Sequence, residues 1–375
     1  MQDKTTCAVI CEYNPFHKGH KYQMEIMKQS FDTVICIMSG TTVQRGECAI
    51  ADKYIRAEAA VREGADIVLE LPYPYSSLGA RDFAASGVHI ATMLGIPTLV
   101  FGAENDGLEE LVRLLIKPST QDEIRIMLNE KGSLSYPQAR QEYVRQLLGS
   151  DKAELLIKPN NILGIEYMIA GGDKISYFPI KRNHEFLSAS VIRAMSREEM
   201  LSELPLYSAE QFGNAEMRAM KNLELAIIAK LRMMEIKDYL RIYDMTDDFA
   251  VRIKKAAVKA TNLEELYKSA SALTDTHAKI RRAVLHSFIG ADMRMAKRLP
   301  RYTMLLAANR VKLNILNELN TQAMPVLAKP AHYKKLPLIA QKQFLLSERA
   351  DDIMALADKT PKQGGQACIK SPVII

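Results

Sequence analysis

Short apolar segments alternate with helix-like segments through the first half of the chain, and this order limits the fold more than any other feature. Strand-like segments lie at residues 7–11, 33–38, 66–71 and 97–101. Helix-like segments lie at residues 19–29, 52–63 and 80–94. This alternation predicts a parallel sheet with helices on both faces. Segments such as TVICI and TLVF are apolar without alternation, as expected for strands covered on both sides.

The composition changes after about residue 200. Residues 208–360 are rich in Ala, Leu, Met, Lys and Glu at helical spacing, and Gly becomes scarce. Before that point we predict one last strand at 175–180 and a helix at 190–200. The sequence thus predicts three parts: a Rossmann-like α/β domain with a parallel sheet over 1–200, a mainly α-helical domain over 201–358, and a flexible tail over 359–375.

Length and composition set further limits. The chain has 375 residues, which suits two domains, and its formal net charge of +6 permits a polyanionic partner such as RNA without requiring one. Five cysteines, without a second pair at zinc-ligand spacing, predict reduced thiols and neither disulfides nor a metal site. No apolar run reaches about eighteen residues, and the first four residues lack a signal-peptide layout. We therefore expect a cytoplasmic protein with no membrane segment and no obligate protein partner.

The segment EYNPFHKGH, residues 12–20, follows the first strand and opens the first helix. A helix N-terminus offers free backbone N–H groups and the positive end of the helix dipole, which both favour phosphate. Gly19 allows a ligand to approach the backbone closely. His17 and His20 lie three residues apart around that glycine, so both can donate hydrogen bonds to charge that develops on one phosphoryl group. We therefore predict that His17 and His20 are catalytic.

The same segment carries a family resemblance. HKGH resembles the HxGH signature of the nucleotidyltransferase superfamily, which includes class I aminoacyl-tRNA synthetases. Further segments resemble the tRNA(Met) cytidine acetate ligases, in the same order, over nearly all of the first 200 residues and more thinly beyond. These segments are MSG (38–40), QRGE (44–47), DKYIRA (52–57), ELP (70–72), VFGAE (100–104), SYPQAR (135–140), PNNILGIEY (159–167), IKR (180–182) and SASVIR (188–193).

The resemblance implies a fold and a function. It implies a nucleotidyltransferase domain followed by a helical region that contacts RNA. Members of this family are understood to activate acetate with ATP as acetyl-adenylate, to release pyrophosphate, and to transfer the acetyl group to N4 of the wobble cytidine of elongator tRNA(Met). ATP is therefore the expected nucleotide, with Mg²⁺ carried on it, and acetate and tRNA are the expected partners.

Several further residues are candidates for ATP binding. Gly102 follows the fourth strand, at the carboxyl edge where α/β sheets bind ligands. Asn161, with Asn160 beside it, opens a helix, and it can cap that helix, contact the base or ribose, or do both. Lys181 and Arg182 end the last strand and either bind phosphate or form a surface pair.

The segment SASVIR resembles the second signature of the superfamily. The resemblance implies that Ser188 and Ser190 hold the β- and γ-phosphates and that Arg193 neutralises charge as pyrophosphate leaves. The complete set of ATP-binding candidates is Ala8, Val9, Ile10, Glu12, Tyr13, Asn14, Pro15, Phe16, His17, Gly19, His20, Gly102, Asn160, Asn161, Lys181, Arg182, Ser188, Ser190 and Arg193.

Cations outside this set are candidates for RNA binding. Arg45 and Lys53 follow the second strand and could serve either ATP or the RNA backbone. Asp52 beside them is expected to cap a helix rather than to act on a substrate. In the helical domain the basic stretch that contains Lys279, Arg281 and Arg282 is either a solvated helix face or part of an RNA-binding surface.

Three functions fit these observations. The first is acetate ligation onto tRNA. The second is a small-molecule adenylyltransferase that uses the same HxGH site, although a large basic helical domain is unusual for such an enzyme. The third is a nucleotide- and RNA-binding protein without turnover, which the presence of both histidines disfavours.

Overall fold

A mixed sheet forms the centre of the molecule. The computed structural model describes residues 5–131, 134–273 and 275–375. The strands within these residues are β1 (Thr6–Cys11), β2 (Thr33–Ser39), β3 (Thr42–Val43), β4 (Glu47–Cys48), β5 (Ile67–Leu71), β6 (Thr98–Ala103), β7 (Ser176–Lys181), β8 (Thr303–Ala308), β9 (Val326–Leu327) and β10 (Val373–Ile374).

Helices cover both faces of this sheet and form most of the remainder. They are α1 (Lys18–Ser30), α2 (Lys53–Arg62), α3 (Ala80–Met93), α4 (Leu108–Leu115), α5 (Pro118–Lys131), α6 (Tyr136–Leu148), α7 (Ser150–Glu154), α8 (Pro159–Gly171), α9 (Ala189–Arg193), α10 (Arg197–Ser202), α11 (Leu206–Gly213), α12 (Glu224–Met233), α13 (Ile236–Tyr239), α14 (Asp247–Lys259), α15 (Leu263–Ala270), α16 (His277–Ile289), α17 (Met293–Ala296) and α18 (Leu338–Ala355).

The strand order is β10-β8-β5-β2-β1-β6-β7, with β9 paired to β8. The pairs β1–β2, β1–β6, β2–β5 and β6–β7 are parallel, so the predicted α/β fold with a parallel sheet is confirmed for the first half. Every residue of β2 and β5 is buried, as their uninterrupted apolar sequences predict. The short strands β3 and β4 form a separate antiparallel hairpin.

Alternate residues of the central strand β1 face two different cores. Ala8 and Ile10 pack in the core that includes residues of α3 and α8, whereas Cys7 and Val9 pack in the core on the opposite face, which includes residues of α1 and α2. This division follows from the two-residue period of a strand, whose successive side chains point to opposite faces. The carboxyl end of β1 is therefore packed on both faces, and this packing fixes the position of the residues that follow it.

Local signals set the helix ends near the site. The side chain of Asp52 accepts a hydrogen bond from the backbone N–H of Tyr54 at 2.9 Å, so the predicted helix cap is confirmed. Gly64 ends the same helix with a φ of 124°, a conformation that residues with a side chain rarely adopt. The helix predicted at 190–200 is wrong in extent, because it divides into α9 and α10, with Ser196 as the N-cap of the second.

The predicted boundaries after residue 200 need correction. Strand β8 lies antiparallel to β5 in the main sheet, and β9 and β10 extend that sheet, so residues beyond 300 complete the first domain. The helical core of α12, α14, α15 and α16 also includes Cys48 and Tyr73 from the first half. Residues 359–375 contain β10 and an ion pair from Lys370 to Asp52 at 2.9 Å, so they are packed rather than a free tail.

Two sequence expectations concern cysteines and membranes. The five thiols are unpaired in the structure. Within the three described stretches, no helix is both long enough and apolar enough to cross a bilayer. The first four residues lie outside the described part of the chain.

Candidate active site

A cavity of about 660 Å³ opens at the carboxyl edge of the sheet. The carboxyl ends of β1, β6 and β7 form its floor, the N-terminus of α1 forms one side, and the hairpin β3–β4 forms another. The start of α8 and the segment that leads into α9 complete the wall. This is the crevice where parallel α/β sheets bind ligands, as the sequence predicts.

The two histidines that the sequence predicts to be catalytic stack on each other at the N-terminus of α1. Their ring centroids are 3.8 Å apart. His17 is the N-cap of α1, and its Nδ1 accepts a hydrogen bond from the backbone N–H of Gly19 at 3.1 Å. Nδ1 of His20 accepts one from the backbone N–H of His17 at 3.3 Å. Because each Nδ1 is an acceptor, a neutral ring carries its proton on Nε2, which leaves Nε2–H as the donor.

Burial keeps both rings neutral near pH 7. It lowers the pKa of His17 to about 4, with smaller contributions from the charges of Arg182 and Arg193. Burial also lowers the pKa of His20 well below its ordinary value, and the neighbouring His17 adds to the effect. The pair can therefore donate hydrogen bonds to an oxygen of a phosphoryl group, but it does not supply fixed positive charge.

The positive charge in the cavity comes from three side chains. Lys181 is exposed, and Arg182 is half-buried and 3.8 Å from the carboxylate of Glu104. Nη1 of Arg193 donates to the carbonyl of Asn14 at 2.8 Å, which joins α9 to the loop before α1. These cations face the same cavity as the histidines, so the site can bind a polyanion along one wall.

Hydroxyl groups lie beside these cations. Oγ of Ser188 accepts from the backbone N–H of Val191 at 3.4 Å and caps α9. Oγ of Ser190 is 3.0 Å from it. Both serines line the cavity and can donate to phosphate oxygens.

The structure brings most of the predicted ATP-binding residues to one cavity. Those that line it are Val9, Ile10, Glu12, Tyr13, Asn14, His17, Gly19, His20, Gly102, Asn160, Lys181, Arg182, Ser188, Ser190 and Arg193. Ala8, Pro15 and Phe16 are buried and are not part of the wall. The sequence does not distinguish the candidates that line the cavity from those that are buried away from it, because alternate residues of a buried strand and loop are equally apolar.

The two asparagines have different positions. Asn160 lines the cavity, and its Nδ2 donates to Oε1 of Glu104 at 3.0 Å. Asn161 is fully buried, its Oδ1 accepts from the backbone N–H of Glu104 at 2.8 Å, and its Nδ2 donates to Asn105. The predicted cap at Asn161 is wrong, because the N-cap is Lys158. Asn161 instead fixes the loop after β6, and Asn160 is the one that a ligand can reach.

Lys53 does not fit its predicted role in binding ATP or RNA. Its side chain is 4% exposed, and its Nζ lies 2.8 Å from Glu70 and 2.7 Å from Asp351. Both neighbouring carboxylates stabilise its charge and raise its pKa against the effect of burial. Contact with an RNA phosphate would require this ion-paired ammonium to leave the interior, so Lys53 is not available to bind RNA.

The remaining RNA candidates differ in availability. Arg45 is exposed at the tip of the hairpin and lines the cavity. Lys279 pairs with Asp275 at 2.9 Å, and Arg281 pairs with Glu47 at 2.6 Å. Arg282 is 9% exposed, so its charge is not on an open surface. Arg45 is therefore the least constrained of the set.

Arg281 and Arg282 have a structural role that the sequence does not reveal. They join helix α16 to the hairpin β3–β4 through the ion pair to Glu47 and a hydrogen bond of 3.4 Å from Arg282 to the carbonyl of Gln44. Gly46, with a φ of 78°, allows this contact, since a Cβ there would lie 2.4 Å from the backbone nitrogen of Arg282. The helical region thus contacts one wall of the cavity directly.

Arg56 is a buried residue near the site whose contacts the sequence did not identify. It is fully buried below the cavity and donates to the carbonyls of Glu12 at 2.7 Å, Ser39 at 3.0 Å and Ala51 at 3.2 Å, and to that of Gly40. Burial lowers its pKa to about 10, so it stays charged at neutral pH. An arginine on a predicted helix gives no such signal.

The apolar part of the wall was also not predicted. It includes Phe101, Ile162, Leu163, Tyr167 and Phe186. Those of β6 and α8 lie on the elements that carry Gly102 and Asn160, whereas Phe186 precedes α9 and packs near Tyr22 of α1. A flat apolar wall beside an amide is suited to a nucleobase.

Comparisons with known proteins identify the family. The sequence model of the HIGH nucleotidyl transferases matches residues 4–367. A tRNA(Met) cytidine acetate ligase of Thermoanaerobacter sp. (strain X514) is 30% identical over 391 aligned residues, which cover 96% of this chain and 96% of the relative. This chain belongs to the tRNA(Met) cytidine acetate ligase family. A ligase of the same name from Streptococcus pneumoniae (strain ATCC 700669 / Spain 23F-1) is 33% identical over 77% of this chain and 80% of its own.

A solved member of the family has the same architecture over its whole length. The crystal structure of Thermotoga maritima TmcAL bound with alpha-thio ATP matches this chain with a TM-score of 0.91 and a sequence identity of 26%. The match covers 99% of each chain. The match therefore includes not only the sheet but also the helical region and the strands after residue 300. The expected nucleotidyltransferase fold is confirmed.

Proposed function

We propose that this chain activates acetate with ATP as acetyl-adenylate and transfers the acetyl group to N4 of the wobble cytidine of elongator tRNA(Met). The observation that carries this proposal is the pair of neutral, stacked histidines that lines one cavity together with Lys181, Arg182 and Arg193, in a chain whose relatives match it over nearly its full length. The full-length match disfavours a small-molecule adenylyltransferase, since the helical region belongs to the ligase architecture.

The adenosine is expected against the apolar wall of Phe101, beside Gly102 and Asn160, and the triphosphate toward the N-terminus of α1 and Arg193. The α-phosphate then lies near the histidine pair. Ser188 and Arg193 are placed to hold the departing pyrophosphate.

The first step is an in-line displacement at the α-phosphate. An oxygen of acetate forms a bond to this phosphorus, the bond from phosphorus to the bridging oxygen breaks, and pyrophosphate leaves with the electron pair. The Nε2–H groups of His17 and His20 donate to the oxygens on which charge builds up, and removing one such donor typically costs about 10²–10³ in rate. Because both rings are neutral and fixed by backbone hydrogen bonds, they act by position rather than by proton transfer.

The second step is acyl transfer. The N4 amine attacks the carbonyl carbon of acetyl-adenylate, the bond from that carbon to the phosphate oxygen breaks, AMP leaves, and the nitrogen loses one proton. An anticodon base is single-stranded, so bringing it into the cavity requires less unstacking than a duplex base. Arg45, exposed at the cavity wall, is the cation best placed to contact the RNA backbone.

Mg²⁺ accompanies ATP as part of the substrate. In the described parts of the chain, no three His, Cys, Asp or Glu side chains come together as a metal-binding group. The triphosphate end of the cavity presents cations and hydroxyls rather than a set of carboxylates, which suits an ion held mainly by phosphate oxygens and water.

The test is pyrophosphate release from ATP with and without acetate and tRNA, followed by nucleoside mass analysis of the RNA. We expect acetate-dependent release and N4-acetylcytidine in elongator tRNA(Met). His20→Ala is the matched negative control. Pyrophosphate release that does not depend on acetate would favour another acyl or phosphate acceptor. ATP binding without pyrophosphate release under any condition would favour a non-catalytic protein.

A further inference from the structure

One carboxylate in the cavity has no role in the chemistry described so far. The wall contains two acidic side chains, Glu12 and Glu47. Glu47 is paired with Arg281 at 2.6 Å, whereas Oε1 of Glu12 accepts one hydrogen bond, from the backbone N–H of Gln44 at 2.8 Å. Among the described residues, no cationic nitrogen lies within 4 Å of the Glu12 carboxylate, and its Oε2 accepts no hydrogen bond. Glu12 therefore has an acceptor available for a substrate.

A carboxylate in this position is unfavourable for ATP binding alone. The phosphates and acetate are anions that only accept hydrogen bonds, so Glu12 would repel them. A group with N–H donors is the partner that a carboxylate recognises, and the exocyclic amine of cytosine is such a group. Uracil has a carbonyl at the same position, so a carboxylate also discriminates between the two bases.

The direction of the side chain favours cytidine over the donors of ATP. Glu12 is bonded to Gln44, so its carboxylate lies on the side of the hairpin β3–β4. Gly102 and Asn160, beside the apolar wall for adenosine, lie on β6 and α8, on the other side of β1. The hairpin also contacts helix α16 of the helical region. A base that enters along the hairpin therefore approaches Glu12 from the side of Gln44.

We propose that the carboxylate of Glu12 receives the N4 amine of the target cytidine and takes its proton as the acetyl group is transferred. This inference rests on the proposed function. The nitrogen forms a bond to the acetyl carbon, AMP departs with the electron pair of the broken C–O bond, and the proton moves from N4 to Oε2 of Glu12. Solvent then takes the proton from the carboxylic acid. No oxidant, reductant or further reactant is needed.

The charges around Glu12 suit a base. Burial raises the pKa of Glu12 above its ordinary value, and the hydrogen bond from Gln44 and the charges of Arg193, Arg56 and Arg45 oppose this rise. Tyr167, whose own pKa is raised by burial and then by the negative charge of Glu12, faces it from α8. The carboxylate must be ionised to accept the proton, so transfer slows as the pH falls through this raised pKa.

The experiment separates the two half-reactions in the full chain. Acetate-dependent exchange of labelled pyrophosphate into ATP reports adenylate formation without RNA. Single-turnover transfer to tRNA, from enzyme preloaded with ATP and acetate, reports acyl transfer. We expect E12Q to lower the transfer rate constant by about 10²–10⁴, the usual contribution of a general base. Exchange should continue with a lower KM for ATP, because a negative charge near the triphosphate is removed.

A pH profile and two further variants complete the test. Wild-type transfer should rise with pH to a plateau, E12Q should show no such rise, and E12D should keep the rise at a lower plateau. E47Q is the matched control, a carboxylate in the same wall, and should lose less transfer than E12Q.

Equal transfer by E12Q and the wild type would overturn the assignment. A parallel loss of exchange and transfer in E12Q and E12D would also overturn it, because it would place Glu12 on ATP. Failure of the proposed function has a different signature, since the wild-type chain itself would then show no acetate-dependent exchange.

Discussion

The loss of stability on replacing Arg56 can be worked out from the hydrogen bonds of its buried guanidinium. Its fork donates to four backbone carbonyls at the ends of β1 and β2 and before α2. In Arg56→Lys a single ammonium group cannot donate to all four carbonyls, and we assume that two of these carbonyls lose their hydrogen bond. Each buried polar group left without a hydrogen bond costs about 1–3 kcal/mol, so Arg56→Lys should destabilise the fold by about 2–6 kcal/mol. A domain is stable by only about 5–15 kcal/mol, so this loss is large.

The assay is equilibrium unfolding in urea, with Arg62→Lys as the control. Arg62 lies on the same helix but is exposed, and its i,i+4 pair with Glu58 at 2.8 Å should contribute only about 0.3–0.5 kcal/mol. Under conditions where Arg56→Lys still folds, its KM for ATP should rise, because the carbonyl of Glu12 lies in the loop that leads to His17. A destabilisation below about 1 kcal/mol would refute the view that Arg56 organises the loop.

Three other predictions follow from single sites. His20→Ala should lower acetate-dependent pyrophosphate exchange by about 10²–10³ with an unchanged circular dichroism spectrum, and wild-type exchange would contradict the site. Burial lowers the pKa of His286 to about 3, so the unfolded chain binds a proton below about pH 6.5 that the folded chain does not. Stability should therefore fall as the pH drops from about 6.5 toward 3, by up to about 1.4 kcal/mol per unit from this group, and urea unfolding of His286→Gln should lack that part of the slope. Gly46→Ala should destabilise the chain by about 1–3 kcal/mol more than Gly95→Ala, which shares the positive φ but has no neighbour within 4 Å of its Cβ; equal effects would argue against the contact of the hairpin with Arg282.

Sequence patterns predicted the elements that local chemistry determines. The run TVICIM became β2 because an apolar stretch of that length is stable when both faces are covered. Residues 12–20 gave the loop and the start of α1, where the side chain of His17 caps the helix. The cavity follows from these elements, which is why most of the ATP-binding candidates meet there.

Contacts between distant residues were not predictable. Strand β8, TMLLAA, is as compatible with a helix as with a strand, and only its pairing with β5 decides the outcome. Lys53 looks like a surface cation until Asp351, 298 residues later, is placed beside it. Arg56 is similar, because its partners are carbonyls that no side-chain pattern indicates.

The central claim is that acetate attacks the α-phosphate of ATP and that N4 of cytidine then takes the acetyl group. The direct measurement is the fate of oxygen from ¹⁸O-labelled acetate, with ATP and elongator tRNA(Met), by mass spectrometry of all phosphate products. Attack at the α-phosphate, followed by cleavage of the acetyl carbon–oxygen bond, predicts one labelled oxygen in AMP for each N4-acetylcytidine formed. Label in orthophosphate or pyrophosphate, with AMP unlabelled, would show attack at another phosphorus and contradict the account.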